Sequence, residues 1–205
     1  MSKSIAFFDF DGTITKGDSF LRMIRYVVGT PRYLAGMALL SPVLVAFKAG
    51  LIPNWRAKEM VLAHFFKTWR QEKFNDRCEK FARNVIPHMV RPAAVEKIKE
   101  HHDKGHKVVL VSASAENWLQ CWAEEMDMDL IATKIELVEG RVTGRLLGKN
   151  CYGPEKESRI RAEINLDDYD HVYAYGDSKG DREMLAMAED AHYKPFRNTP
   201  KEIND

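Results

Sequence analysis

IAFFDFDGTIT, residues 5–15, is a short apolar run that ends in two aspartates one residue apart. The continuous apolar character of residues 4–10 predicts a β-strand that is buried on both faces. Because side chains alternate between the two faces of a strand, Asp9 and Asp11 are expected to leave the strand end on the same side. Gly12 then allows a sharp turn that brings backbone N–H groups close to an anion.

The pair of aspartates indicates chemistry as well as structure. Two carboxylates that lie close together repel each other unless a cation or a shared proton separates them. One can attack phosphorus while the other moves a proton, with a hard divalent cation between them and the substrate. The structural alternative, a strand followed by an Asx turn, accounts for Asp11-Gly12 but leaves Asp9 unexplained.

Three later segments each place a chemically active residue at the end of a strand or the start of a helix. KVVLVSAS, residues 107–114, is a second apolar strand that ends in small hydroxyl residues. NCYGPEK, residues 150–156, places a lysine at the start of a helix. VYAYGDSKGD, residues 172–181, is a third strand that ends in two acids. Ligands bind at the carboxyl ends of parallel strands, so these residues are expected to meet there.

The order of these four motifs resembles that of the haloacid dehalogenase-like (HAD) phosphatase superfamily. Within it the chain is similar to the branch related to phosphoserine phosphatase, in which a helical cap is inserted soon after the first motif. The resemblance covers nearly the whole chain. It implies a Rossmann-like α/β core and a Mg²⁺-dependent phosphomonoester hydrolase that acts through an aspartyl phosphate.

The resemblance also implies a role for each motif residue. Asp9 would be the nucleophile, and Asp11 would protonate the leaving oxygen and then activate water. Mg²⁺ would be held by Asp9, the backbone carbonyl of Asp11 and Asp177, with Ser178 and Asp181 in a supporting layer around it. The phosphoryl oxygens would be bound by Gly12, Ser112, the N–H of Ala113 and Lys156.

Two features qualify this assignment. Glycines commonly follow the motif serine in phosphoserine phosphatases, whereas Ala113-Ser114-Ala115 follow it here, which argues against phosphoserine as the substrate. Asp181 is also well placed to cap a helix predicted over residues 181–189.

The bulk composition is that of a soluble globular protein, with 205 residues, 45% hydrophobic residues, 30% charged residues and a net charge of +1. The near-neutral charge and the lack of a nucleic-acid motif argue against a nucleic-acid partner. The cysteines Cys78, Cys121 and Cys151 are odd in number and form no C-x-x-C, which predicts reduced thiols in a cytoplasmic protein. A removable signal peptide would take away the first motif and is not expected.

The predicted elements divide the chain into two parts. Residues 1–15 and 89–205 are expected to form an α/β core with a parallel sheet, and residues 16–88 an inserted helical cap. Core strands are predicted at residues 4–10, 107–111, 130–132, 172–175 and 191–193, with a hairpin formed by 134–138 and 141–146. Core helices are predicted to start at Pro92 and to cover residues 115–126, 155–164 and 181–189.

Two side-chain pairs outside the motifs are assigned structural roles. Trp118 and Trp122 lie four residues apart on a predicted helix and are expected to pack in the core. His101 and His102 end a charged helix, and we expect them to be solvated rather than bound to a metal.

The predicted cap has a basic first half. Residues 19–58 contain no Asp or Glu, which favours an anionic substrate or surface, with Arg22, Arg56 and Lys58 as candidates for substrate contact. Residues 33–47 are uncharged, but they are shorter than the ~20 residues that a membrane-spanning helix needs. They form either a buried helical hairpin or an interfacial anchor that contacts anionic headgroups.

The leading functional prediction is a phosphatase of a small phosphorylated metabolite. The first alternative is a phosphatase of a membrane lipid phosphate, docked through the cap at the inner face of a membrane. Further alternatives are a non-hydrolytic phosphotransferase and a lipid-binding protein on the same scaffold. A dehalogenase is disfavoured because an alkyl-halide site has no need of the second acid, and a phospho-receiver domain lacks an insertion after its first strand. Exposed apolar cap surface is equally compatible with an interface between copies of the chain.

Overall fold

The computed structural model of this chain describes residues 3–197, which form six β-strands and ten α-helices. The strands are β1 (Ser4–Phe8), β2 (Lys107–Ala115), β3 (Asp129–Val138), β4 (Arg141–Leu147), β5 (His171–Gly176) and β6 (Asp190–Tyr193). The helices are α1 (Ser19–Val28), α2 (Thr30–Leu39), α3 (Ser41–Lys48), α4 (Asn54–Phe66), α5 (Gln71–Asn84), α6 (Ile86–Met89), α7 (Pro92–Asp103), α8 (Glu116–Glu125), α9 (Pro154–Glu163) and α10 (Arg182–Ala186).

The strands form a six-stranded sheet in the order β4-β3-β2-β1-β5-β6. The five strands β3, β2, β1, β5 and β6 are parallel to one another, and the edge strand β4 runs antiparallel to β3. Both faces of β1 are covered, because Ile5 and Phe7 pack in one hydrophobic cluster while Ala6 and Phe8 pack in the other. The predicted α/β fold is therefore confirmed, and the carboxyl ends of β1, β2 and β5 share one edge of the sheet.

Two predicted elements are longer than those in the structure. The first strand ends at Phe8 rather than at residue 10, because the chain enters a tight helical turn at Phe10–Ile14. The last core helix covers five residues, Arg182–Ala186, rather than 181–189, because it ends before Met187 and the chain enters β6 at Asp190.

A third prediction is wrong about where β3 ends. The segments 130–132 and 134–138 form one strand, which pairs with β2 along its first half and with β4 along its second. Thr133, between the two segments, is buried, and its hydroxyl donates to Asn150 Oδ1 at 3.1 Å. A polar residue can therefore continue the strand because it has a hydrogen-bond partner.

The helices α1 to α6 lie between β1 and β2 in the chain. The chain enters and leaves them through paired segments: the N–H of Lys16 donates to Met89 O at 2.8 Å, and the N–H of Arg91 donates to Ile14 O at 2.8 Å. α4 packs against β4, and α5 packs against α8. These contacts hold the helices, which we call the cap, against the sheet; the division of the chain into two domains stays a prediction.

The helices α2 and α3 contain the uncharged segment 33–47, and they are less buried than a hairpin inside the cap would be. The two helices are bent by 62° relative to each other. α3 has no fully buried residue, and Leu34, Leu39 and Val45 are exposed. Within residues 3–197 no single helix is long and apolar enough to cross a membrane, although this bent pair passes on length and composition alone. The inner side of the two helices packs in the cap, as the buried-hairpin alternative expects, whereas these outer side chains do not. The choice between the hairpin and the interfacial anchor stays a prediction.

His101 is buried, so the prediction that it is solvated is wrong. Its Nε2 lies 2.9 Å from the Tyr175 hydroxyl, and its Nδ1 lies 2.8 Å from His106 Nδ1. α7 looks charged in sequence, but one of its faces packs against β2 and carries His101 with the other buried residues of the helix. Trp118 and Trp122 are buried, as predicted.

Acid is expected to destabilise the fold through His101. Burial, followed by the charge of His106 and nearby lysines, lowers the pKa of His101 to about 4. An unfolded histidine titrates near 6.5, so below about that pH the unfolded chain takes up a proton that the folded chain does not. The free energy of unfolding should fall as the pH falls toward about 4, and it should fall less in His101→Gln. Urea denaturation of both proteins at about pH 7 and about pH 5 measures this, and equal decreases would contradict it.

Candidate active site

The turn after β1 brings Asp9 and Asp11 into one cavity. Asp9 directly follows the strand, and its N–H donates to Tyr175 O of β5 at 2.9 Å. The chain then turns at Gly12, where φ is +85° and the glycine lies against the Asp177 carboxylate. Any side chain at Gly12 would strain the backbone and displace that carboxylate. The turn, rather than strand alternation, therefore places the second acid beside the first.

Lys156 is the centre of a buried charged cluster. Its Nζ lies 2.7 Å from Asp9 Oδ1 and 2.7 Å from Asp181 Oδ1, and it donates to Val111 O at 2.7 Å. All three hydrogens of the ammonium are therefore used. The side chain of Lys156 is only 2% exposed, so solvent screens these charges very little.

Burial and charge shift the pKa values of this cluster in different directions. Burial raises the pKa of Asp9 to about 7, with Lys156 opposing the rise and Asp181 adding to it. Burial alone would lower the pKa of Lys156, but Asp9 and Asp181 raise it above its ordinary range. Burial also acts against Asp181, yet Lys156 holds the pKa of that carboxyl below its ordinary value. Lys156 and Asp181 thus form a stable charged pair, and Asp9 is the carboxylate whose charge responds to what binds beside it.

Asp11 is held by α1 and by the end of β2. Its Oδ1 accepts the N–H of Ser19 at 2.6 Å, and its Oδ2 accepts the hydroxyl of Ser114. The two serine hydroxyls lie 3.0 Å apart, and the indole N–H of Trp118 donates to Ser19 Oγ at 3.1 Å. Burial, followed by the charge of Asp18, raises the pKa of Asp11 to about 6. A carboxyl that titrates near neutral pH can both give and take a proton.

The acids at this edge of the sheet fit a divalent cation. One carboxylate oxygen from each of Asp9, Asp177 and Asp181 lies within 4.8 Å of the others. Mg²⁺ prefers oxygen ligands and needs only one or two carboxylates besides water and phosphate. Asp181 already binds Lys156 through Oδ1 and the hydroxyl of Ser178 through Oδ2. Asp9 and Asp177 are therefore the carboxylates that the geometry offers as ligands, and Asp181 orients the groups around them.

Asp181 stands at the N-cap position of α10, but its side chain forms a capping box with Ser178 at the preceding turn Lys179–Asp181, so the capping alternative is right about its position and wrong about the helix that its carboxylate caps. Its side chain makes no capping hydrogen bond to α10. Its Oδ2 instead accepts the N–H groups of Asp177 and Ser178 at 3.1 Å and 2.9 Å. This arrangement orients the loop that carries Asp177, whose own Oδ2 pairs with Arg197 at 2.6 Å. The Asp11 carboxylate lies outside the three-acid group, which leaves its backbone carbonyl as the ligand to consider.

The end of β2 supplies hydrogen-bond donors to the cavity, which is lined by Ser112, Ala113 and Ser114. Ser112 Oγ accepts the N–H of Ser114 at 3.0 Å. A serine hydroxyl has one hydrogen to donate, and residues 3–197 provide no acceptor for that of Ser112, so it is available to an anion. Lys156 also lines the cavity, whereas Gly12 does not and donates its N–H to Thr15 Oγ1 at 3.3 Å.

The cavity has a volume of about 270 Å³ and two unlike sides. One side carries the charged and hydroxyl groups of the sheet edge. The other side belongs to the cap, is largely apolar, and is formed by Phe20, Leu21, Leu44, Phe47 and Val61. The cavity can therefore hold a phosphate on its polar side and an apolar group on its cap side.

Lys58 is the basic cap candidate that reaches this cavity. Its Nζ donates to Ala113 O at 2.8 Å and to Asn150 Oδ1 at 3.1 Å, so it joins α4 to the end of β2 and to the loop before α9. Burial lowers the pKa of Lys58, with Asp11 and Asp18 opposing the shift. Lys58 thus places a positive charge on the cap side of the cavity, facing the candidate acid Asp11.

The other two cap candidates lie elsewhere. Arg22 and Arg56 are exposed and do not line the cavity. Arg56 is two residues from Lys58, which places it on the opposite side of α4, where it pairs with Glu59 at 3.6 Å. The basic composition of the cap pointed to all three residues equally. Only Lys58 reaches the cavity, because the packing of the cap decides which side of each helix faces it.

Among the polar residues at the site that were not selected from the sequence, three belong to the motifs. Thr13 donates its hydroxyl to Asp9 Oδ2 at 2.9 Å. Ser114 binds Asp11, and Asn150 binds Lys58. Each of them lies within one of the four motifs, so considering every polar residue of those motifs would have found them. The apolar residues of the cap carry no comparable signal.

Comparison with known proteins identifies the family of this chain. The family model of haloacid dehalogenase-like hydrolases matches residues 6–186, which include all four motifs. The chain is 35% identical over 195 residues to protein CicA of Caulobacter vibrioides, and the match covers 94% of this chain and 86% of that protein.

Solved structures share the fold. A protein of unknown function from Bordetella pertussis superposes with a TM-score of 0.79 at 23% identity, covering 94% of this chain and 89% of that one. A phosphoserine phosphatase solved as a phospho-aspartyl intermediate analogue superposes with a TM-score of 0.61 at 20% identity, covering 92% and 84%. By its family match and its identity to CicA, this chain belongs to the haloacid dehalogenase-like hydrolase family, and it has the fold of the phosphoserine phosphatase-like members.

Proposed function

We propose that this protein is a Mg²⁺-dependent phosphomonoester hydrolase that forms an aspartyl phosphate on Asp9. The observation that carries the proposal is the pairing of two unlike acids in one cavity. Asp9 sits in a buried cluster with Lys156 and next to Asp177, whereas Asp11 is held by hydroxyl and amide groups with a pKa of about 6. One acid is thus suited to attack phosphorus and the other to transfer a proton.

The proposed reaction has two steps. In the first, a carboxylate oxygen of Asp9 attacks phosphorus, the bond from phosphorus to the ester oxygen breaks, and Asp11 gives its proton to that oxygen. In the second, a water molecule attacks the phosphorus of the aspartyl phosphate, Asp11 takes a proton from the water, and orthophosphate leaves Asp9 free. Bound Mg²⁺ would neutralise charge on the phosphoryl oxygens.

The remaining residues of the cavity would bind and orient the phosphoryl group. The free hydroxyl hydrogen of Ser112 and the N–H of Ala113 are donors for its oxygens. Lys156 holds Asp9 in place and lowers the cost of a dianion nearby. The phospho-aspartyl intermediate analogue of a phosphoserine phosphatase with this fold supports the covalent step.

The leaving group is proposed in two classes. The first is a small soluble phosphomonoester, which a cavity of about 270 Å³ can enclose. The second is a lipid phosphate, and the apolar cap side formed by Leu21, Leu44 and Phe47 favours it. A leaving alcohol with an apolar chain would bury those side chains, whereas a charged metabolite would leave them in contact with polar groups.

Orthophosphate release, with and without Mg²⁺, tests the proposal. The panel pairs soluble esters, namely phosphoserine, sugar phosphates and nucleotides, with lipid phosphates in mixed micelles. We expect release that depends on Mg²⁺, and its distribution over the panel identifies the class of leaving group. Release without Mg²⁺ would refute the metal dependence. Transfer of phosphate to an added alcohol, with none released to water, would instead identify a phosphotransferase.

Lys58→Met is expected to weaken substrate binding more than the chemical step. The lysine faces the cavity from the cap and offers a charged donor to an anionic substrate. A hydrogen bond to a charged group contributes roughly 1.5–3 kcal/mol, so KM should rise about 10- to 100-fold. Arg56→Met, on the exposed side of the same helix, is the matched control and should leave KM within about twofold. Equal effects of the two variants would show that the charge of the cap, rather than this contact, binds substrate.

A further inference from the structure

The exposed apolar side chains of this protein are concentrated in one part of the cap. Of the twelve large apolar or aromatic side chains that are exposed within residues 3–197, eight lie between residues 26 and 60. The most exposed of them are Leu34 at 59%, Leu39 at 70%, Val45 at 66% and Leu51 at 78%. These four belong to α2, α3 and the loop that follows α3. We call them the apolar face.

The apolar face is the outer side of helices whose inner side is already packed. Tyr33, Met37, Val43 and Leu44, which alternate with the exposed residues along α2 and α3, pack against the hydrophobic cluster of the cap and sheet. The side chains of the apolar face are therefore not needed to pack α2 and α3 against the rest of the protein. A soluble monomer rarely leaves so many neighbouring apolar side chains in water unless they meet a partner.

The charge around the apolar face selects the kind of partner. Residues 19–58 carry a charge of +6, so the rest of the chain carries −5 within the overall +1. Arg22, Arg25, Arg32 and Lys48 are exposed, and none of them forms an ion pair within residues 3–197. Pairing this surface with a second copy across a twofold axis would bring two such basic regions together. An anionic surface instead complements both its apolar and its basic residues.

The geometry is that of a surface in contact with a bilayer rather than of a span. α2 and α3 have ten and eight residues, or about 15 Å and about 12 Å of helix, against a hydrocarbon thickness of about 30 Å. The bend of 62° between them also prevents a continuous span. Short helices with an apolar outer side and basic neighbours lie in the plane of the interface.

The apolar face also borders the candidate active site. Phe47 lines the cavity and is 36% exposed, and Leu44 of the same helix lines it as well. α3 thus contributes to the cavity wall with one side and to the apolar face with the other. A surface that contacts α3 would lie next to the opening of the cavity.

We propose that the apolar face, together with its basic neighbours, docks the cap on an anionic lipid bilayer. The helices α2 and α3 lie in the interface, with Leu39 and Val45 among the headgroups and acyl chains and Arg32 and Lys48 on the phosphates. This docking does not depend on the proposed hydrolysis, because the residues that carry it are not those of the acidic site.

Vesicle co-sedimentation tests the docking directly. The probes are phosphatidylcholine vesicles with and without about one quarter phosphatidylglycerol, at about 0.05 M and about 0.5 M NaCl. We expect wild-type protein to sediment with the anionic vesicles at least about fivefold more than with the neutral ones, and less at high salt. Asp9→Asn should bind as wild type does, which separates docking from catalysis.

The double variant Leu39→Glu/Val45→Glu should reduce binding to anionic vesicles at least about tenfold. Its control is Val138→Glu/Leu147→Glu, which changes two side chains of similar size that are 54% and 56% exposed on the hairpin of β3 and β4. Circular dichroism and hydrolysis of p-nitrophenyl phosphate check that each variant is folded. If the wild-type protein has no phosphatase activity, circular dichroism alone checks the fold and the binding result still stands.

Three outcomes would overturn the proposal. If the face pairs with a second copy, wild-type protein forms a dimer in sedimentation velocity and does not bind vesicles. A dimer of this kind that the Leu39→Glu/Val45→Glu substitutions dissociate would assign the face to that interface. Equal binding to neutral and anionic vesicles would remove the role of the basic residues. Equal loss of binding in the control variant would show that the effect is not specific to α2 and α3.

Discussion

Asp9→Asn is expected to lower kcat by at least about 10⁴-fold while the protein stays folded. The amide has nearly the shape of the carboxylate, but its oxygen is a poor nucleophile and cannot form the aspartyl phosphate. The amide oxygen can still accept from Lys156, and its NH₂ can donate to the hydroxyl of Thr13, so both contacts of the native side chain have replacements. Lys156 also keeps its contacts with Asp181 and Val111 O.

The activity assay for this variant is single-turnover phosphate release with the best substrate of the panel. Wild-type protein should also retain labelled phosphate that hydroxylamine releases, as expected of an acyl phosphate, and the variant should retain none. Asp18→Asn is the matched control, because this exposed acid also lines the cavity and its amide can still cap α1. It should keep activity within about tenfold of wild type. Asp9→Asn activity within the same range would refute the role of Asp9 as nucleophile.

Lys156→Met is expected to destabilise the fold by about 3–5 kcal/mol at neutral pH. The lysine is the cation shared by Asp9 and Asp181, and it also donates to Val111 O. Methionine fills a similar volume but leaves two buried carboxylates and a carbonyl oxygen without that donor. Removing one partner of a buried ion pair costs far more than a surface charge does, because the remaining charges stay in a poorly screened site.

The loss of stability in Lys156→Met should be smaller at low pH than at high pH. Without the ammonium, the folded-state pKa of Asp9 rises further above its value in the unfolded chain, and the pKa of Asp181 is no longer held below its ordinary value. Protonation then relieves the repulsion, so the difference in unfolding free energy from wild type should be smaller at about pH 5.5 than at about pH 8. Urea denaturation at both values measures it. Lys149→Met, at an 85% exposed side chain, is the control and should change stability by less than about 0.5 kcal/mol. A difference below about 1 kcal/mol for Lys156→Met would mean that the cluster is not buried in solution.

The α/β fold and the order of the four motifs were predictable from the sequence. An apolar run buried on both faces, followed by acids and a glycine, is a local pattern, and local patterns survive in any tertiary context that buries the strand. The same holds for α5, whose buried residues Phe74, Cys78, Phe81 and Ala82 follow helical spacing. The parallel arrangement then follows from the alternation of strands and helices, and it brings the strand ends to one edge.

The contacts between segments that are far apart in the chain were decided by the tertiary structure. Asp181 looks like a helix cap in sequence, yet Lys156 and the loop after β5 hold its carboxylate, because the packing of α9 against the sheet places an ammonium beside it. His101 looks solvated, yet one face of α7 rests on the sheet and buries it. Composition alone did not separate Lys58 from Arg56, because the side of α4 that meets the cavity depends on its packing against β4.

The sequence by itself therefore determined which residues can do chemistry and which strands carry them, because both are properties of short segments. The tertiary structure alone decided which of those residues lie together in the cavity and which charge each of them carries there. It also decided which side of the cap remains in water. Burial and the distances between charges set these properties, and both depend on contacts between residues as far apart in the chain as Asp9 and Lys156.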